Sequence, residues 1–211
     1  GLAKGISRPG VWQRLTRIKE MKLDQVSASY LKEQDRILVR MNTSSSAELR
    51  LWLTRRLCLR LWPNLNTAVA DRVALMEGTR DPARAAAATA DSATRQMLAD
   101  FQREETLKTT DFKTPFRHEA QHLPLGAEPL VVTDVGLTNL ADGKLQIDFK
   151  EKLPGESKPR SFRICLESRN LHGFLHLLEK ALQQSGWLGD GTAASPGVPA
   201  MAAFEKPKYL N

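Results

Sequence analysis

Residues 36–57, RILVRMNTSSSAELRLWLTRRL, contain the pattern that decides the fold. Apolar residues recur at every second position on both sides of a serine-rich turn: Ile37, Val39 and Met41, then Leu49, Leu51 and Leu53. This alternation is typical of two strands that place one face on a core, and the short polar loop makes them a hairpin. Thr54 can then cap a helix with its hydroxyl group. The stretch predicts a strand–strand–helix unit, with a weaker strand before it at 25–31.

A second stretch, at 144–182, repeats this order. Its strand residues are Leu145, Ile147 and Phe149, then Phe162, Ile164 and Leu166, and its helix carries a stripe of Leu171, Phe174, Leu175, Leu178 and Leu182. Ser168 can cap this helix, and Gly186 can end it because glycine adopts the left-handed conformation without steric cost. LRLWLTRRL (49–57) aligns with FRICLESRNL (162–171) with one extra residue. We therefore expect an α+β protein with two pseudo-repeated antiparallel strand–strand–helix units, joined by a helical hairpin insert.

The remaining segments differ in composition from these units. We expect the following divisions: 1–20, a basic N-terminal extension or expression remnant; 21–65, the first unit; 66–114, the helical insert; 115–128, a linker; 129–186, the second unit; and 187–211, a flexible tail rich in Gly, Ala, Pro and Ser. Pro63 is expected to end or kink the first helix. The alanine-rich insert allows close helix packing, so a homodimer formed through it is one expectation.

The outer face of the first hairpin is the candidate binding surface. By alternation it presents Arg36, Leu38, Arg40, Arg50 and Trp52, and Arg55 and Arg56 follow at the start of the helix. Arginines supply phosphate contacts and a tryptophan ring can stack on a base. Residues 21–65 contain eight basic and four acidic residues, whereas residues 121–190 contain eight basic and nine acidic ones. The candidate site for nucleic acid or a protein partner is therefore Arg36, Arg40, Arg50, Trp52, Arg55 and Arg56. The alternative is that the helical insert or a partner subunit covers Leu38 and Trp52.

Two hairpins that are each followed by a packing helix resemble, in topology, the PUR and Whirly single-stranded nucleic-acid-binding folds. Residues 36–57 also resemble a segment of uncharacterised proteobacterial proteins, a likeness that implies a bacterial source and no particular activity. The topological resemblance implies a nucleic-acid-associated role. It carries over no functional residue.

The segment His118-Glu119-Ala120-Gln121-His122 spells HExxH, the zinc motif of zincin metalloproteases. That motif needs a regular helix, and here Pro115 and Pro124 leave room for about two turns at most. His118 and His122 are the candidate zinc ligands of the hydrolase alternative, whereas the main interpretation expects no cofactor. His172 and His176 are read as edge residues of the last helix.

Cellular context and function follow from the remaining features. Cys58 and Cys165 do not form a CxxC pair, and without a secretion signal two free thiols favour a cytoplasmic location. No apolar run is long enough to cross a membrane.

We expect a non-enzymatic binding or accessory protein that associates with single-stranded nucleic acid. The alternatives are a protein–protein interaction or self-assembly module and a zinc-dependent hydrolase.

Overall fold

The computed structural model describes residues 23–80, 83, 91–118, 122–155 and 160–189. Within them the protein is an α+β structure, as predicted. Its elements in chain order are β1 (Leu23–Leu31), β2 (Arg36–Thr43), β3 (Glu48–Thr54), α1 (Arg55–Arg80), α2 (Ser92–Thr109), β4 (Leu130–Val131), β5 (Asp134–Asn139), β6 (Leu145–Glu151), β7 (Arg160–Leu166) and α3 (Ser168–Ser185). No described helix has the length and apolar character needed to cross a bilayer.

The strands form two sheets. The first has the order β1-β2-β3-β4, with antiparallel pairing among its first three strands and parallel pairing between β3 and β4. The second has the order β5-β6-β7 and is antiparallel throughout. Both units therefore consist of three antiparallel strands followed by a helix. This common order fits the predicted internal repeat, which stays a prediction.

The apolar segment LVVTDVGL (130–137) is divided between the two sheets. Leu130 and Val131 pair with β3, whereas the chain from Asp134 pairs with β6. Between them the Val132 amide donates to the carbonyl of Trp52, and the Thr133 amide donates to that of Lys150. One continuous segment thus joins the two sheets through backbone hydrogen bonds.

The apolar residues that the alternation selected all lie in one core. The inward residues of β2, β3, β6 and β7 are buried together with the apolar stripe of α3. The helix of each unit contacts the strands of the other unit more than its own: α3 lies against β1, and α1 contacts β5 and β6. The units therefore exchange helices and share one hydrophobic interior.

Helix boundaries confirm some predicted caps and correct others. The Thr54 hydroxyl accepts a hydrogen bond from the amide of Leu57 at 3.3 Å, and Gly186 ends α3 with φ 67°. Ser168 is the first residue of α3 rather than its cap, because Glu167 holds the capping position without a side-chain bond. Pro63 lies inside α1, which continues to Arg80. The division predicted at residue 66 falls inside this helix, and it stays a prediction.

Helix α2 follows α1 in the described part of the insert. Asp81-Pro82, a pair that often starts a helix, lies outside the described residues. Helix α2 begins after Asp91, whose carboxylate accepts hydrogen bonds from the amides of Ala93 and Thr94. On its exposed side, Met97 and Phe101 are each 65% accessible and one turn apart. The homodimer stays a prediction, and this exposed apolar pair is a surface through which two copies could associate.

Trp187 stands at the boundary of the predicted tail, yet it is only 6% exposed. Its ring packs edge-on against Tyr30 at 5.5 Å between centroids, and its indole N–H donates to Asp35 at 2.9 Å. The end of the second unit is thereby fixed to the β1–β2 turn of the first. Residues 190–211 lie outside the described part of the chain.

Candidate binding face on the first sheet

The outer face of the first sheet is the side turned away from the shared core. We define it by residues that lie opposite one another across β1, β2 and β3: Gln25, Ser27, Ser29 and Leu31; Arg36, Leu38, Arg40 and Asn42; Glu48, Arg50, Trp52 and Thr54. Residues directly opposite one another in an antiparallel pair share a face, and the intervening residues of β2 and β3 are buried. The predicted alternation is thus confirmed in detail.

Leu38 and Trp52 form a directly opposed pair at the middle of this outer face. Both side chains are half-buried. The strand neighbours β1 and β4 place Ser29 beside Leu38 and Val131 beside Trp52. The indole therefore stands among side chains smaller than itself, and part of it is open to solvent.

Arg40 and Arg50 form the next opposed pair, and both donate to one carboxylate. Glu48 Oε1 lies 2.6 Å from Arg40 Nε and 3.0 Å from Arg50 Nε. Glu48 is 1% exposed, and its burial alone would raise the pKa of its carboxyl group. Hydrogen bonds from the two arginines outweigh this effect and hold the pKa of Glu48 below its usual range. The carboxylate relieves the like-charge repulsion and neutralises half of the charge that the sequence assigned to this pair.

Arg40 has two further contacts, both with residues of the predicted linker. Its guanidinium lies 4.9 Å from the centroid of the Phe116 ring, and its Nη1 lies 2.5 Å from His118 Nδ1. Since a guanidinium group can only donate, Nδ1 of His118 is the acceptor of this hydrogen bond. One face of the Arg40 guanidinium, its Nε and its Nη1 are therefore all occupied.

Residues 115–118, which we call the strap, lie across one end of the outer face. The Asn42 amide donates to the carbonyl of Arg117 at 2.8 Å. Gln25 donates to the carbonyl of Pro115 at 3.1 Å and accepts from the amide of Arg117 at 3.0 Å. The predicted linker is thus packed against the first sheet, close to Arg40.

The other predicted site residues lie at the opposite end of the face. Arg36 pairs with Thr54 at the end of the hairpin and is half-buried. Arg55 and Arg56 follow directly in the first turn of α1 and are exposed. The structure thus brings Trp52 and Arg36 onto one surface with two exposed arginines beside it, while Arg40 and Arg50 are engaged by Glu48.

The second sheet presents a different outer surface. It consists of Asp134, Gly136 and Thr138; Gln146, Asp148 and Lys150; and Ser161, Arg163 and Cys165. Asp148 accepts from Arg163 at 2.6 Å and from Gln146 at 3.0 Å. None of these side chains is aromatic, and the charges of Asp148 and Arg163 pair with each other. The predicted contrast between the two outer faces is present.

The HExxH segment does not have the helical geometry of a zincin at either histidine. His118 is in an extended stretch, and His122 forms a parallel bridge with Ala47 and accepts from the Glu48 amide. Residues 119–121 lie outside the described part. Within that part, no three or more His, Cys, Asp or Glu side chains are placed to hold a metal ion.

The second histidine pair also differs from its interpretation as two edge residues. His172 is fully buried in α3, whereas His176 is partly exposed and lies 5.0 Å from the ring of Phe112. Burial first, and then the positive charges of Arg72 and Arg103, lower the pKa of His172 from 6.5 to about 4. Its imidazole is therefore neutral at physiological pH.

Sequence reasoning missed two participants in the candidate face. Glu48 could have been found, because it stands two residues before Arg50 and so shares its side of the strand. Phe116 carries no such signal, since 76 positions separate it from Arg40 and no periodicity links them. Comparisons with protein-family models, curated proteins and solved structures found no match to this chain.

Proposed function

We propose that the protein binds single-stranded nucleic acid on the outer face of its first sheet, with a base stacked on Trp52. The observation that carries this proposal is the partly exposed Leu38–Trp52 pair at the centre of the sheet face turned away from the shared core. Aromatic side chains on a sheet surface stack with unpaired bases, which have an accessible ring face in any sequence.

The charge around this pair supports a phosphate backbone at one end of the face. Arg36 lies one same-face position along β2 from Leu38, and Arg55 and Arg56 extend beyond the end of β3. These three cations can each contact a phosphate without breaking an ion pair to Glu48. The small side chains of Ser27 and Ser29 leave space for a ligand beside Leu38. The topological resemblance to PUR and Whirly folds implies the same function.

The test is fluorescence anisotropy of labelled single-stranded oligonucleotides between 50 and 200 mM salt. We expect Trp52→Ala to weaken binding by about tenfold or more, because stacking on one base contributes about 1–3 kcal/mol. Arg36→Glu should weaken binding and flatten the dependence of log affinity on log salt by about 0.7 for its lost phosphate contact.

The matched control is Lys150→Glu, which makes the same charge change on the outer face of the second sheet. It should alter the affinity much less than Arg36→Glu does, apart from a small effect of net charge. Salt-independent affinity, or equal binding by the wild type and Trp52→Ala, would contradict the proposal. A protein that binds no oligonucleotide would leave a protein partner as the occupant of this face.

A further inference from the structure

We infer that the strap is an autoinhibitory element that withholds Arg40 from nucleic acid on the outer face, an inference that rests on the proposed function. Arg40 is two residues along β2 from Leu38, so its side chain adjoins the Leu38–Trp52 pair on the same face. On the side of Leu38 that faces the strap, Arg40 is therefore the β2 cation nearest to the place where a base would stack.

Phe116 occupies the place on Arg40 that a base would take. Its ring centroid lies 4.9 Å from the guanidinium carbon. Nucleic-acid bases stack on arginine guanidinium planes as well as on aromatic rings. A strand that extends from Trp52 toward Arg40 must therefore compete with Phe116 for this surface.

His118 blocks the polar edge of the same guanidinium. Its Nδ1 accepts from Arg40 Nη1 at 2.5 Å, in the position that a phosphate or base oxygen would need. Arg40 Nε is committed to Glu48 Oε1 at 2.6 Å. The strap and Glu48 together leave Arg40 bound within the protein rather than available to a ligand.

The way in which the strap is attached makes it displaceable. Within the described residues, each hydrogen bond between residues 115–118 and the strands uses at least one side chain, chiefly those of Gln25 and Asn42. The Gln25 bonds are at the surface and can be exchanged for water at small net cost. Asn42 is 7% exposed, and its amide can bond to water once the strap leaves. The strap can thus leave the face while β1 and β2 remain paired.

The experiment compares oligonucleotide affinity in the full chain carrying Phe116→Ala with that in the wild type. Removal of Phe116 should raise affinity about fivefold, because the ligand no longer displaces a cation–π contact. Phe112→Ala is the matched control: it removes a nearby aromatic residue that contacts His176 rather than Arg40. This control should leave affinity unchanged. Circular dichroism and thermal unfolding should show that both variants fold.

The outcomes separate the two proposals. Unchanged or weaker binding by Phe116→Ala, with binding still dependent on Trp52, would overturn the strap inference and leave the proposed function standing. Binding by Phe116→Ala but not by the wild type would support the inference in its strongest form. If neither binds at any salt concentration tested, both proposals fail.

Discussion

Replacement of His172 by leucine should remove a measurable acid sensitivity from the protein. His172 is 0% exposed, and neither ring nitrogen has a hydrogen-bond partner among the described residues. It lies on α3, and the charges of Arg72 from α1 and Arg103 from α2 act on it. Protonation of the ring would therefore bury an unpaired cation beside two others.

The magnitude follows from the pKa of about 4 in the folded protein and 6.5 in an unperturbed histidine. Between these values the unfolded chain binds a proton that the folded protein does not, so stability falls on acidification. Each pH unit within this window costs about 1.4 kcal/mol, which gives about 2 kcal/mol between pH 6.5 and pH 5 and about 3 kcal/mol by pH 4. Well above pH 6.5 the ring is neutral in both states and contributes no pH dependence.

Urea unfolding followed by far-ultraviolet circular dichroism at several pH values from 8 to 5 measures this effect. His172→Leu should lose about 2 kcal/mol less stability than the wild type between pH 7 and pH 5. At pH 7 it should be as stable as the wild type or more stable by about 1 kcal/mol, because an apolar side chain of similar volume replaces unpaired polar atoms. The pKa of His176 is also lowered by burial, but this residue is partly exposed. His176→Gln should therefore change the pH dependence of stability less than His172→Leu does.

Parallel pH profiles for the wild type and His172→Leu would refute this reasoning. They would show that His172 titrates in the folded protein much as it does in the unfolded chain. The buried environment between α1, α2 and α3 would then be open to water, and the packing of α2 would need revision.

Two further substitutions test how the first sheet is held. Glu48→Gln should lower the free energy of unfolding in urea by about 2 kcal/mol, because it leaves two opposed arginines without their carboxylate. Glu33→Gln, at an exposed position, is the control. Equal urea midpoints for Glu48→Gln and the wild type would contradict the assigned ion pairs. Trp187→Ala should lower the free energy of unfolding by about 3–4 kcal/mol because it removes a buried ring. Trp187→Phe should recover most of that loss. An alanine variant as stable as the wild type would mean that Trp187 does not hold α3 to the first sheet.

Local sequence patterns predicted the strands and the core because each depends on neighbours within a few residues. The alternation in 36–53 and 145–166 named buried residues, and the stripe in α3 did so as well. The patterns did not show that the apolar run beginning at Leu130 is shared by two sheets, because its partner strands are distant in sequence. They also left open whether the first helix ends at Pro63, and α1 continues through this residue to Arg80.

The candidate site was predicted only in part, for a similar reason. Alternation correctly placed Trp52 and the arginines of β2 and β3 on one face. It could not show that Glu48 neutralises part of their charge or that Phe116 packs on Arg40. Burial of His172 was missed because its helix is covered on a second side by α2, which no pattern within α3 records.

The exchange of helices gives the second unit a structural role in the proposed binding face. Helix α3 packs against β1, and Trp187, just after its end, donates a hydrogen bond to Asp35 in the β1–β2 turn. The first sheet therefore depends on the second unit for one layer of its core. This dependence explains how two similar scaffolds can carry different surfaces: the outer face of the second sheet has self-paired charges, while that of the first has Trp52 and exposed arginines nearby. The second unit therefore supplies part of the core on which the first sheet packs.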